Sequence, residues 1–354
     1  MHAALYRPFA DPWRQSMRVY AEQLRAHLIA IAAGDSITSV SLPDARLAPP
    51  ARYWDQYVRY QRLAARTKAD VHHVLDHGFA HLAGAIAPGR SIVTFHDAVP
   101  LRSGLVSFGT RRALEIGMRS AMARRARFIA VSQASKQDAV ELFGVPEASI
   151  DVVAQGVDER FRPSPDREAL RSRLGLTRPT VLIVGHTQPY MNVEGALRAA
   201  AAARADVDLE VVKIGAPLTV EQGALAHAEG LTGHLRERGI VPDEQLLEWY
   251  AAADALVYLP ALSGFGLPVI EAMASGTPVV TSDRGGVLEV AEGASATVDP
   301  RDYAAAAAAL TAILTDDTYR LELVRHGLAR ALKYTWRETA VHTLRIYRSV
   351  ADAA

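Results

Sequence analysis

The sequence predicts an α/β protein made of two doubly wound parallel sheets, one after the other along the chain. Three observations predict it. Short β-branched and apolar runs, the pattern of strands buried on both faces, alternate with helical patterns. The alternation breaks at Phe161-Arg-Pro-Ser-Pro-Asp166, a turn or linker by its prolines and serine, and then restarts. The length of 354 residues suits two domains of roughly 100–200 residues each.

In the first half a long helix runs from about Trp13 to Ala33, with Met17, Val19, Tyr20, Leu24 and Leu28 spaced to pack on a sheet. Tyr53–Arg66, Thr110–Arg124 and Ser135–Leu142 follow as helices, and Ser135 with Asp138 resembles a capping arrangement. Between them Val71–Leu75, Ser91–Phe95, Phe128–Val131 and Ile150–Val153 read as buried strands. In the second half the strands are Thr180–Val184, Leu209–Ile214, Ala255–Leu259, Pro278–Thr281 and Ala296–Val298. The helices are Val193–Ala203, Gln222–Arg238, Asp243–Ala252, Pro268–Ser275, Asp302–Leu314 and Asp317–Lys333. The Ala304–Ala309 run is simply a strong helix former. Thr335–Ala353 is a helix long enough to reach back to the first domain. The expected domains are therefore 1–165 plus 335–354, and 166–334. Two such sheets place ligands beyond the carboxyl ends of their strands, in a cleft between the domains.

Composition narrows the function. Lys plus Arg and Asp plus Glu both total 39, a neutral balance that argues against a dedicated nucleic-acid binder. Residues 1–165 carry 21 Lys/Arg against 15 Asp/Glu, and the rest carry the opposite imbalance, 18 against 24. The basic half suits an anionic acceptor or a membrane surface, with an ordinary solvated surface as the alternative. There is no cysteine, so disulfides, thiolate catalysis and cysteine-ligated metals are excluded. No apolar window of transmembrane length occurs. Arg7, Asp11, Arg14, Arg18 and Glu22 interrupt any signal-peptide core, and the expected location is cytoplasmic.

The most informative segment is Ser263-Gly-Phe-Gly-Leu-Pro-Val-Ile-Glu271, followed by Gly276-Thr-Pro278 and a strand. A glycine turn feeding a helix N-terminus offers backbone N–H groups to a phosphate, and Pro268 fits the first helical turn. Glu271 lies about one turn further on, where its carboxylate can accept the hydroxyls of a ribose. The alternative is an ordinary strand–turn–helix unit. No Gly-x-x-x-x-Gly-Lys-Ser/Thr loop is present, and no glycine pair follows Gly185 as a dinucleotide site would need.

This segment resembles the donor-site signature of glycosyltransferase family 4, retaining enzymes of the GT-B fold, two Rossmann-like domains. Further stretches agree with that family in order: His96-Asp97 after a strand; Val131-Ser-Gln-Ala-Ser-Lys136 before Gly144-Val-Pro146 and Gln155-Gly-Val-Asp158; Gly185 before Pro189 and Asn192; Pro242–Tyr250 before Ala253-Asp254. Ser16-Met17 and Val74–His81 resemble one bacterial branch. The resemblance implies transfer of a sugar, with retention, from a nucleoside-diphosphate donor to an acceptor hydroxyl, with no cofactor and no metal. It implies Glu271 on the ribose, Gly264, Phe265, Gly266 and Leu267 at phosphate and sugar, and His96 beside the sugar and leaving phosphate. His77, His81 and Ser16 fall on the acceptor side.

Two departures stand out. The family signature is Glu-x7-Glu, and its first glutamate, which contacts the donor sugar, is Ser263 here. After Gly185 the family carries Pro-Arg-Lys-Asn, and here Pro189-Tyr-Met-Asn192 lacks both cations. A lost charge-assisted phosphate contact costs ~1.5–3 kcal/mol. His186, Lys213 and Arg284 are the candidate substitutes. The expected consequence is an unusual donor sugar; the alternative is a non-catalytic nucleotide- or glycan-binding relative, and a sugar-nucleotide epimerase is a third, weaker reading. The acceptor is a glycan, a lipid-linked species or a small molecule. Arg111, Arg112, Arg119, Arg124, Arg125 and Arg127 would let one helix rest on the inner membrane face, against a plain solvated helix. The spacing of His73, His77 and His81 imitates a metal face, but His73 falls in a strand and Gly78 interrupts the run. Asp206-Val-Asp208 reads as a solvated turn rather than a metal motif.

Overall fold

The computed structural model describes residues 1–9, 15–42, 44–46, 48 and 50–353. It forms two compact units, Met1–Gly156 with Trp336–Ala354, and Val157–Thr335. The division falls before the proline-rich run rather than after it. The Val157 N–H bonds the Tyr334 carbonyl at 2.9 Å, which ties the chain from that point to the second unit.

The first unit holds a six-stranded parallel sheet in the order β2-β1-β3-β4-β5-β6. Its strands are β1 (His2–Tyr6), β2 (Ser36–Val40), β3 (Val71–Val74), β4 (Ser91–Phe95), β5 (Arg127–Ala130) and β6 (Ile150–Val152). Two of them escape sequence reasoning. β1 begins His-Ala-Ala and carries no β-branched residue, while β2 buries only Ile37 and Val40. The first helix is Gln15–Ile31; the expected start at Trp13 lies outside the described residues. Its Tyr20, Leu24 and Leu28 pack on one sheet face with Trp336, Leu344 and Tyr347 of the last helix, Trp336–Asp352. The last helix thus groups with the first unit.

The helix expected at Tyr53–Arg66 is interrupted by a wide turn, Asp55–Arg59. Asp55 is fully buried there, held by the Arg46 amide at 2.8 Å and by the guanidinium groups of Arg46 and Arg59, which keep its carboxyl well below the usual range. The helix Gln133–Phe143 is capped by Ser132, whose hydroxyl accepts the Ser135 N–H at 2.9 Å. Asp138 instead pairs with Arg102, so the expected capping role is replaced by a cross-segment ion pair.

The second unit repeats the plan, in the order β12-β11-β10-β7-β8-β9. Its strands are β7 (Thr180–Gly185), β8 (Glu210–Gly215), β9 (Leu235–Gly239), β10 (Ala255–Tyr258), β11 (Val279–Ser282) and β12 (Ala296–Val298). The helix expected over Gln222–Arg238 is only Val220–Ala228, opened by a capping box of Thr219 and Gln222. The chain turns at Gly230, and Leu-Arg-Glu-Arg-Gly becomes the edge strand β9. Its charges read as a helix surface, but they suit an exposed edge, where Arg236 pairs with Glu210 at 2.7 Å. From β7 the chain builds outward through β8 and β9, then returns to lay β10 on the other side. The order therefore reverses between β7 and β10, and in open α/β sheets ligands bind beyond the strand ends at that reversal.

Candidate donor site

Two loops leave the sheet at the reversal. The loop after β10 holds the glycine turn, and Gly266, at φ +102°, caps the helix Leu267–Ala274. The turn is drawn tight from the far side. The Gly286 N–H donates to the Ser263 carbonyl at 2.9 Å, and a Cβ on Gly286 would stand 2.0 Å from the Gly264 carbonyl oxygen. Only glycine permits this approach, so Gly286 is a site residue the sequence reading missed; its signal is the Gly285-Gly286 pair, with two residues between it and the end of β11. Phe265 is buried, with its ring edge-on to Tyr334 at 5.8 Å. Ser263, Gly264 and Leu267 are half-buried.

Glu271 lies on this helix as expected, with a partner the sequence reading did not assign. The fully buried Tyr250 donates its hydroxyl to Glu271 Oε2 at 3.0 Å. Burial pushes the Glu271 carboxyl up to about 7, the Tyr250 bond works against that rise, and the charges of Asp243 and Asp158 add to it. Tyr250 closes the expected helix Asp243–Ala252, but nothing in its spacing points to Glu271, 21 positions on.

The loop after β7 differs from its sequence reading. Met191 stands where the family has a cation, and its methyl would meet a Cβ on Gly185 at 3.1 Å. Asn192 is structural: its amide donates to the Leu259 and Pro300 carbonyls at 3.0 and 2.6 Å, and its oxygen caps the next helix. His186 is half-buried, and burial, then the Lys213 charge, lowers its pKa and favours the neutral ring. Lys213 does not face a ligand as expected. It is 1% exposed, and its three N–H bonds go to the carbonyls of Gly185, Ile214 and Ala216. Arg284 is half-exposed and paired with Asp299 and Asp283, so its charge is already engaged.

In the first unit, His96 directly follows β4 and is 3% exposed. Its Nε2 donates to the Leu75 carbonyl at 2.8 Å, and its ring meets the edge of Tyr20 at 4.7 Å. His77 opens a 3-10 helix, His77–Ala85, and lies on Phe95. His81 donates from Nε2 to the Gln56 carbonyl at 2.9 Å, and burial lowers its pKa. Ser16 is exposed on the first helix. The histidines do not share a face. His72 bonds the Tyr6 hydroxyl at 2.8 Å, and His73 lies between Tyr347 and Thr94 at 2.7 and 2.6 Å. Asp208 of the Asp-x-Asp run pairs with Arg178 at 3.1 Å. Among the described residues no helix is long and apolar enough to cross a membrane.

Comparison with known proteins identifies the family. Residues 17–161 match the family model Glycosyltransferase Family 4, and residues 166–330 match Glycosyl transferases group 1. A D-inositol 3-phosphate glycosyltransferase of Frankia alni is 33% identical over 74% of this chain and 69% of its own length. For one from Nocardia farcinica the figures are 36%, 66% and 54%, so this chain spans little more than half of that relative. The O-antigen chain mannosyltransferase B of Escherichia coli is 28% identical over 73% and 70%. Among solved structures, sucrose-phosphate synthase from Thermosynechococcus elongatus superposes with a TM-score of 0.80, at 20% identity and full coverage of both chains. Anabaena HepE in complex with UDP and glucose gives 0.76 at 17% identity, covering 99% of this chain and all of its own. The two α/β units are thus those of the GT-B fold. On its sequence relatives, its family models and the two sheets that carry them, this chain is a sugar-transferring enzyme and belongs to glycosyltransferase family 4.

Proposed function

We propose that the protein transfers a sugar, with retention and without a divalent metal, from a nucleoside-diphosphate donor to an acceptor hydroxyl. The observation that carries this is the Glu271 carboxyl, fixed by Tyr250 beside a glycine-turn helix N-terminus at the reversal of the sheet. Glu271 takes the ribose, and the amides over 264–267 take the diphosphate, whose departure they stabilise. His96 of the first unit acts beside the sugar and leaving group, with its ring held by Leu75 and Tyr20. Family membership supports retention. Ser263, shorter and uncharged where a glutamate is usual, supports a bulkier, anionic or deoxygenated donor sugar. The relatives' names give different acceptors, an inositol phosphate and a glycan chain, so the acceptor class stays open to a small molecule, a glycan or a lipid-linked species. Peripheral contact with an anionic membrane is supported by the helix Phe108–Ala123, which exposes Phe108 (79%) and Ile116 (62%) beside Arg111, Arg112 and Arg119.

The test is a panel of sugar nucleotides, each with and without acceptors that include D-inositol 3-phosphate, read as release of nucleoside diphosphate. Release should need one donor and one acceptor and persist in a chelator. Chelator-induced loss restored by manganese or magnesium would overturn the metal-free part. His96→Ala should lower turnover more than nucleotide affinity; turnover kept within about threefold, a barrier change under ~0.7 kcal/mol, would make His96 structural.

A further inference from the structure

Lys213 is a buried cation directly beneath the turn that follows β7. Its β8 neighbours explain the position. β7 and β8 run in register with Gly185 beside Gly215, and a Cβ on Gly215 would stand 2.4 Å from the Gly185 oxygen. Gly215 also has φ +108°, so two features reserve this place for glycine. The two strand ends therefore meet backbone to backbone, with their carbonyls turned inward. Lys213 Nζ sits at that focus, 2.8 Å from the Gly185 oxygen, 3.0 Å from that of Ile214 and 2.9 Å from that of Ala216. The Gly185 oxygen also accepts the Ala216 N–H at 3.2 Å. In a planar trans peptide N–H and C=O point in opposite directions, so pulling the Gly185 carbonyl inward turns the His186 N–H outward.

A charge in this position is costly unless something offsets it. Burying an ammonium among neutral carbonyls lowers its pKa to about 8, with the charge of Glu237 on β9 working against that fall. The other titratable group against it, His186, is disfavoured as a cation by burial and by Lys213 itself. Nothing in the strand pairing needs a lysine, since any apolar side chain would fill a buried sheet position. The turn above it is the place where both expected cations are missing, at Tyr190 and Met191.

We propose that Lys213 is a positioning residue of the donor site, a fixed cation behind the β7 turn that aims its backbone and attracts the diphosphate of a nucleoside-diphosphate ligand in place of surface cations. This rests on the donor-site reading above. The arriving anionic diphosphate favours the charged lysine and raises its pKa, so binding above pH 8 must be accompanied by proton uptake. His186, disfavoured as a cation by burial and by Lys213, contributes no such uptake at pH 8.5.

The experiment is titration calorimetry of the full chain with UDP, GDP, ADP and dTDP, at pH 7 and pH 8.5, in buffers of different ionisation enthalpy. The wild type should take up a fraction of a proton at pH 8.5 and almost none at pH 7. Lys213→Met should bind the same nucleotide at least tenfold more weakly at pH 7, bind the bare nucleoside with unchanged affinity, and show no uptake at pH 8.5. The proton measurement needs only the wild type, so a variant that misfolds leaves the test intact. Nucleotide binding without proton uptake at pH 8.5 overturns the role of Lys213 and leaves the donor site standing. Failure to bind any of the four diphosphates overturns the donor site, and this inference with it.

Discussion

The loops after β7 and β10 flank the same reversal of the second sheet, yet they are built on opposite plans. The β10 loop is defined by backbone: Gly286 approaches Gly264, Gly266 turns the chain into a helix, and Glu271 sits one turn along. The β7 loop is defined by what lies under it. Its side chains Tyr190 and Met191 carry no charge, and a buried cation lies one strand away, beneath it. A site made of main-chain groups must keep its glycines in place, because nothing else fits. A site that needs only positive charge can draw it from any strand that reaches it.

The sharpest way to break the β10 plan is Gly286→Ala. Overpacking against a main-chain oxygen costs ~1–3 kcal/mol or more, and the turn must move. We expect at least a thirtyfold loss of nucleoside-diphosphate affinity by calorimetry and a lowered melting temperature. Gly223→Ala is the control, since a Cβ there meets nothing within 4 Å. If both variants behave alike, the close approach does not define the turn.

Glu271 tests the next term. Glu271→Ala should weaken the nucleotide by ~1.5–3 kcal/mol while acceptor affinity holds, because the proposed ribose contact is lost together with the Tyr250 bond. With its carboxyl raised to about 7 by burial, nucleotide affinity should fall as the pH drops through 7. Stability follows the opposite sense. The unfolded carboxyl titrates near its ordinary 4.5, so between there and about 7 the folded state holds the extra proton. Stability therefore falls as pH rises through that window and levels off above it. Glu271→Gln should be more stable than wild type at pH 8, by up to ~3 kcal/mol, and equal to it near pH 4. Melting curves that show no gain at pH 8 would mean the carboxylate is not strained.

Ser263→Glu is the mildest change and sharpens what the β10 loop selects. Affinity for bare nucleoside diphosphate should stay within ~1 kcal/mol, while turnover of the native donor falls through crowding or like charge at the sugar. A wild type that prefers a plain hexose, with a mutant faster on it, would refute the unusual-donor idea.

By itself the sequence determined the class and most of the scaffold. Buried parallel strands are continuous apolar runs, and the five expected strands of the second half all occur, with no end shifted by more than one residue. It also determined the β10 turn, because glycine, proline and glutamate at fixed offsets act on the chain that carries them. The strands it missed are those without a local signature: alanine-rich β1, the edge β2, and the charged edge β9. Tertiary structure alone decided the partners. Tyr250 reaches Glu271 across 21 positions, Lys213 reaches Gly185 across 28, and Tyr347 reaches His73 across 274. Spacing along the chain carries no record of such pairs, because a hydrogen bond depends on where the fold brings donor and acceptor. The same reason separates Lys213 from its first reading: a strand-end lysine is solvated or buried according to which way its strand presents it, and packing chose the inside.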